Sequence, residues 1–181
     1  MTYIYRKATL ADTDAYYRLI HSAYASIREL GIHFAAATAD REQIVRHLRG
    51  NAVYVIEEEG ELVSSLSLRF PWGPNPGPYG LPHIGWFATA PSKKNSGLGK
   101  NLLHWVEETV LIQQLHLPAV TLGTADSHPW LASMYESLGF VKVGTADLKK
   151  GHITIYFLKV LDQQLYEQWR KTNPLTVSTQ H

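Results

Sequence analysis

A chain of 181 residues supports one domain that buries about two thirds of its unfolded surface. Its 17 Lys and Arg against 16 Asp and Glu leave no global field for nucleic acid or an anionic membrane, so neither is expected as a partner. It has no cysteine, which excludes a disulfide framework, a cysteine-zinc site and a thiol nucleophile.

The N-terminal stretch MTYIYRKATLADTD carries acids where a signal peptide needs an apolar core, and no run approaches transmembrane length; a soluble, cytoplasmic protein is expected. Residues 3 to 8 read as a strand. Thr9 to Asp12 resembles a capping box, and Tyr16, Ile20, Ala23 and Ile27 make a helical stripe. Asp40 with Gln43 marks a second helix start, with Ile44, Val45 and Leu48 inward. AVYVIEE and ELVSSLSLRF flank Glu59-Gly60, a hairpin turn, and Leu62, Leu66 and Leu68 alternate with period two. PWGPNPGPYGLP forbids regular structure, and HIGWFAT is a short strand.

From Leu98 apolar residues recur at 102, 106 and 110, predicting a helix that Leu117-Pro118 ends. AVTLGT is the next strand. Pro129 suits the first turn of a further helix, on which Leu131, Tyr135 and Leu138 share a face and Gly139-Phe140 forms the C-terminal cap. Two strands near 140–147 and 152–160 and a helix near 162–171 close the chain, ahead of a polar tail.

The segment APSKKNSGLGKNLLHWVEETV lies between a strand and a helix. Gly97 and Gly99 leave backbone N–H groups free to converge on an anion, with Lys93, Lys94 and Lys100 supplying charge. A Walker loop would need glycine at position 94 and Ser or Thr at 101, where the chain has Lys94 and Asn101. A dinucleotide fingerprint would need a third glycine at Leu102. What remains, Lys94-Asn95-Ser96-Gly97-Leu98-Gly99, resembles the (Arg/Gln)-x-x-Gly-x-(Gly/Ala) loop of the GNAT superfamily of acetyl-coenzyme A-dependent N-acetyltransferases. WLASMYESLGF is similar to that family's later helix, in which a tyrosine precedes Leu-Gly-Phe, and the element order agrees over roughly residues 3 to 160.

The resemblance implies an α/β (α+β) GNAT fold: a mixed, mostly antiparallel central sheet of about seven strands, flanked by about four helices plus a C-terminal helix. Residues 1–160 would be the acetyltransferase domain and 161–181 a C-terminal helical extension and flexible tail. It also implies acetyl-CoA as the acyl donor. Its pyrophosphate would rest on the backbone of Asn95, Ser96, Gly97, Leu98, Gly99 and Lys100, beside Lys94, at a helix N-terminus. Phe87, Ala88 and Thr89 would pair with the pantetheine arm and offer an N–H to the thioester oxygen. His128 stands where many members carry a coenzyme-contacting asparagine. Tyr135 is expected as general acid: coenzyme A leaves as a thiolate of pKa about 8.5 if it resembles cysteine, and a tyrosine of pKa about 10 holds a proton for it.

The resemblance also implies a glutamate base on the fourth or fifth strand, yet HIGWFATA and AVTLGT contain no carboxylate. His83 and His128 are the candidates left by ordinary pKa. His104 and Glu107 lack a second histidine at zincin spacing, and no metal is expected. The acceptor pocket of such a fold draws on Tyr24, Arg28, Glu29, His33, Trp72, Tyr79 and His83, whose rings suit a small molecule with an apolar or cationic part. The expected reaction is direct transfer of an acetyl group to a small-molecule primary amine in a ternary complex, and the reading allows for a homodimer. The alternative is a non-catalytic acyl-CoA sensor on the same fold, favoured by the missing carboxylate.

Overall fold

The computed structural model describes residues 2–30, 32, 34–128 and 130–174, so His33, Pro129 and the tail from 175 onward lie outside the described residues. The strands are β1 (Tyr3–Lys7), β2 (Ala52–Glu58), β3 (Glu61–Arg69), β4 (His83–Thr89), β5 (Ala119–Ala125), β6 (Val141–Asp147) and β7 (Ile153–Val160). They form one mixed seven-stranded sheet in the order β1-β2-β3-β4-β5-β7-β6. Pairing is antiparallel at β1–β2, β2–β3, β5–β7 and β6–β7 and parallel at β4–β5. The helices are α1 (Thr13–Ala23), α2 (Ala25–Glu29), α3 (Arg41–Gly50), α4 (Leu98–Trp105), α5 (Leu131–Ser137) and α6 (Gln163–Arg170), with α4 continuing as a π-helix over Val106–Gln114. Among the described residues no helix is long and apolar enough to cross a membrane.

Local chemistry sets most of these boundaries. Asp12 accepts from the Thr9 N–H at 2.8 Å. At α3, Gln43 N–H donates to Asp40 and Asp40 N–H donates to the Gln43 side chain, each at 2.8 Å, closing a reciprocal cap. The stripe from Tyr16 to Ile27 is divided between α1 and α2 by Tyr24, at φ −94° and ψ 8°. The β2–β3 hairpin turns through Glu59 and Gly60, at φ 50° and 83°. Gly139, at φ 98°, ends α5 while the Phe140 N–H reaches back to the Tyr135 carbonyl at 3.1 Å, as a Schellman cap requires.

The chain divides into two compact units, Met1–Leu68 with Gly85–Val106, and Arg69–Ile84 with Glu107–His181. The first is built around Tyr16, Leu19, Ile20, Ile44, Val53, Val55 and Leu62, where α1 and α3 cover β2 and β3. The second is built around Tyr79, Leu81, Ala119, Tyr156 and Leu158, onto which α6 packs Tyr166 and Trp169. β3 is buried on both faces from Leu62 to Leu68, so the serines between its leucines also lie inside.

Candidate active site

The glycine loop belongs to the first unit and is held at both ends. At its start the Ala90 N–H donates to the Val63 carbonyl at 2.9 Å, and a 3₁₀ turn follows over Pro91–Lys93. Asn95 and Gly97 then take left-handed backbones, at φ 64° and 83°. Gly97 is the N-cap of α4, and its carbonyl accepts the first helical bond, from Asn101 at 2.9 Å. The N–H groups of Gly97, Leu98, Gly99 and Lys100 therefore lie at the helix position where no intrahelical acceptor exists. Leu98 is buried and anchors the turn, while Lys94 and Lys100 are exposed. Lys93 is used differently: its Nζ lies 2.7 Å from Glu58 Oε1, and that contact holds the carboxyl below its usual range.

Gly99 is a glycine for a spatial reason. A Cβ there would stand 3.0 Å from Thr89 Oγ1 and 3.5 Å from the Phe87 ring, so β4 approaches the first turn of α4 directly. The Ser64 hydroxyl donates to the Ala88 carbonyl at 3.0 Å, which makes Thr89 the donor in the 3.0 Å contact between the two hydroxyls. Ser67 donates to the Gly85 carbonyl at 2.8 Å, and the Tyr24 hydroxyl to the Phe87 carbonyl at 3.3 Å. Trp86 between them has φ 47°, a kink that re-aims the backbone ahead of Phe87–Thr89. An open cleft of about 360 Å³ in this unit is lined by Arg18, Ser22, Ala90, Ser92 and Lys93, so it borders the start of the loop and none of residues 94–100.

In the second unit Tyr135 is buried on α5, with Phe140 at 6.0 Å and Phe157 at 6.2 Å between ring centroids. Burial pushes its hydroxyl up to about 12. His128 is buried against Trp130, its Nδ1 has no partner, and desolvation lowers its pKa. His83 is buried with Nδ1 2.8 Å from Thr121 Oγ1. Desolvation, with the Arg69 charge, brings its pKa down to about 3. An imidazole so weakly basic cannot take a proton from an ammonium at neutral pH, which corrects the reading of His83 as a base.

The expected acceptor residues divide between the two units: Tyr24, Arg28 and Glu29 belong to the first, and Trp72, Tyr79 and His83 to the second. Tyr24 is tied to β4 as described. Arg28 is a clamp rather than an open cation: Nη1 donates to the Ala37 carbonyl at 2.7 Å and Nη2 to the His21 carbonyl at 3.0 Å. Glu29 is exposed. Trp72 is 64% exposed and stacked on Phe70 at 4.8 Å, whereas Tyr79 is buried in the second unit's core. Glu107 pairs with Lys159 at 3.0 Å, and among the described residues no group of three or more His, Asp and Glu side chains is placed to hold a metal.

The model of the acetyltransferase (GNAT) family matches residues 14–140. The chain belongs to this family. Over 161 residues it is 50% identical to the S-(2-succino)cysteine N-acetyltransferase of Bacillus subtilis, covering 89% of this chain and 98% of that protein. The S-alkylcysteine N-acetyltransferase of the same organism is 40% identical over 159 residues, covering 87% of this chain and 89% of its own. The crystal structure of the PaiA N-acetyltransferase from Thermoplasma acidophilum, in complex with coenzyme A, shares the fold with a TM-score of 0.67 at 12% identity, covering 88% of this chain and 99% of that one.

Against this family background, two residues missed in the sequence gain weight. Trp86 bends β4 ahead of Phe87–Thr89; an aromatic in a strand gives no local sign of a positive φ. Arg69 ends β3 on the face shared by Ser65 and Ser67. The available signal was the hydroxyls themselves: small polar residues alternating with leucines mark a second face that is also covered.

Proposed function

We propose that this GNAT acetyltransferase transfers an acetyl group from acetyl-CoA to the α-amine of a small S-substituted cysteine. The observation that supports the donor half is the entry into α4, where left-handed Asn95 and Gly97 lead into a first turn whose N–H groups at Gly97, Gly99 and Lys100 have no intrahelical acceptor, while that of Leu98 reaches the Ser96 hydroxyl at 3.4 Å. The absent Cβ of Gly99 seats that first turn against β4, since a side chain there would meet Thr89 and Phe87. The names of the relatives at 50% and 40% identity support the acceptor half.

In this reading acetyl-CoA supplies the thioester, and the chain supplies position and a proton. Lys94 and Lys100 give the loop its positive potential. The backbone of Phe87, Ala88 and Thr89, outside the two-pair parallel ladder of His83–Thr121 and Ile84–Leu122, orients the acyl arm and stabilises charge on its oxygen. Tyr135 gives its proton to the departing thiolate, and His128 contributes a coenzyme contact. No dedicated base is required of the strands, because an α-amine is less basic than a lysine amine and offers more of its neutral form near neutrality.

The test is coenzyme A release from acetyl-CoA with S-substituted cysteines, lysine and peptide amines, with products identified by mass. Turnover favouring the S-substituted cysteines is expected. Tight acetyl-CoA binding without turnover on any amine would overturn the proposal in favour of a sensor.

A further inference from the structure

The second unit contains a guanidinium with an unsatisfied Nε. Arg69 is half-buried, its Nε is fully buried and has no acceptor, and among the described residues no carboxylate pairs with it. Arg6, by contrast, meets Asp12 at 2.8 Å and Glu57 at 2.7 Å. Desolvation lowers the pKa of Arg69, although a guanidinium stays charged at any physiological pH. The buried Nε lacks an acceptor, and an anion from outside the chain would supply one.

The surroundings are built for one such anion. The Arg69 charge acts on the Tyr156 hydroxyl, and the Tyr156 ring carries Tyr79 edge-on at 5.6 Å and His83 at 6.1 Å between centroids. The Tyr79 hydroxyl is buried with no partner. Burial, followed by Tyr156, pushes it up to about 12, so it remains a donor. His83, fixed by Thr121 and neutral, adds no second charge. Backbone is brought close on two sides: a Cβ on Gly77 would stand 2.6 Å from the His83 Cβ, and one on Gly123 3.1 Å from the Tyr156 ring. Within this cluster Arg69 alone is charged. Of the two anions a guanidinium fork binds in bidentate fashion, a carboxylate carries the single negative charge that one cation balances.

Resting on the acceptor reading above, we propose that Arg69 and Tyr79 form the carboxylate-binding site for the acceptor and select amino-acid amines over simple amines. The carboxylate has two sources: the α-carboxylate shared by all S-substituted cysteines, or one on the S-substituent, as in a succinyl group.

Four acceptors separate these sources: S-methylcysteine, S-(2-succino)cysteine, S-methylcysteamine, which has no carboxylate, and S-(2-succino)cysteamine, which has only the succinyl pair. Arg69→Gln should raise KM about 10- to 150-fold for the recognised acceptors, as when one partner of a buried charge-assisted bond is lost. S-methylcysteamine and acetyl-CoA should keep parental KM values. A loss on both cysteines but not on the cysteamines assigns the α-carboxylate; a loss on both succino acceptors alone assigns the substituent. Tyr79→Phe keeps the ring and should shift the same acceptors by a smaller factor. If Arg69→Gln does not fold, Arg69→Lys, which keeps charge without the fork, carries the test. An equal loss on all four acceptors, or none on any, overturns the site. If the parent acetylates none of them, the acceptor reading fails by itself, and succinate then reads the site: thermal stabilisation of the parent that Arg69→Gln and Tyr79→Phe lose supports it, and no stabilisation refutes it.

Discussion

The Trp86 indole lies flat on the His47 imidazole, with centroids 3.7 Å apart and planes 9° from parallel. A left-handed backbone costs a bulky residue about 1–3 kcal/mol, and it persists where the surroundings over-determine it. The ring from α3 is one such restraint, and Tyr16, stacked on both at 6.2 and 6.3 Å, is another. Trp86→Ala should therefore lower unfolding free energy by about 1–3 kcal/mol in urea titrations. Parental stability would show that the stack does not hold the kink.

The loop offers a paired contrast. Gly97 has open space around its missing Cβ but φ 83°, so Gly97→Ala should cost about 1 kcal/mol of backbone strain and leave acetyl-CoA binding in place. Gly97→Asp adds a negative charge before the helix, and acetyl-CoA affinity should fall at least about tenfold in calorimetry while the fold survives. Lys93→Ala should leave that affinity unchanged, because its ammonium is committed to Glu58. An Asp variant that binds like the parent would remove the basis for the donor site.

Tyr135→Phe keeps the ring among Phe140 and Phe157 but removes the proton. A fall in kcat of about 10- to 1,000-fold is expected where chemistry limits the rate, with acetyl-CoA affinity little changed. Because burial raises the Tyr135 pKa to about 12, its proton stays on through pH 10. Any downturn of the parental profile below that pH should therefore persist in Tyr135→Phe. Disappearance of such a limb in the variant, or ping-pong kinetics, contradicts this role.

His83 makes a stability prediction with a defined sign. Its folded pKa, about 3, lies below the ordinary 6.5, so between these values the unfolded chain binds the extra proton. Its effect on stability is absent above pH 6.5 and becomes a progressive loss as pH falls toward 3. Melting temperatures of the parent should drop more steeply from pH 6.5 to 4 than those of His83→Gln. Asp12, whose carboxyl Arg6 holds low, contributes the same acid sensitivity to both proteins, so the difference isolates His83. Identical slopes would place the imidazole in a wetter site than the structure shows.

What the sequence disclosed follows from the range of the interactions. The Asp40–Gln43 cap, the Glu59-Gly60 turn and the Gly139 cap are written within three or four residues, and the family loop is contiguous; all were readable. Lys93 looked like a phosphate cation because its Glu58 partner lies across another strand. His83 looked like a base because the Pro- and Gly-rich stretch hides how deeply its end returns into the second core. Arg69 was silent because an unpaired charge is defined by what does not surround it, which no local pattern records.

The β2–β3 turn provides headroom for these experiments. A two-residue turn with both φ values positive favours Asn-Gly, and the chain places Glu59 where asparagine fits with less strain. Glu59→Asn should add about 0.5–1 kcal/mol and, for a chain of this size, raise the melting temperature by about 1–4 °C. The exchange lies in an exposed turn. A melting temperature at or below the parent's would show that the turn stores no strain. A protein so reinforced is the natural background in which to read Arg69, Tyr79 and His83 variants, since each trades buried structure for information and needs a fold with something to spare.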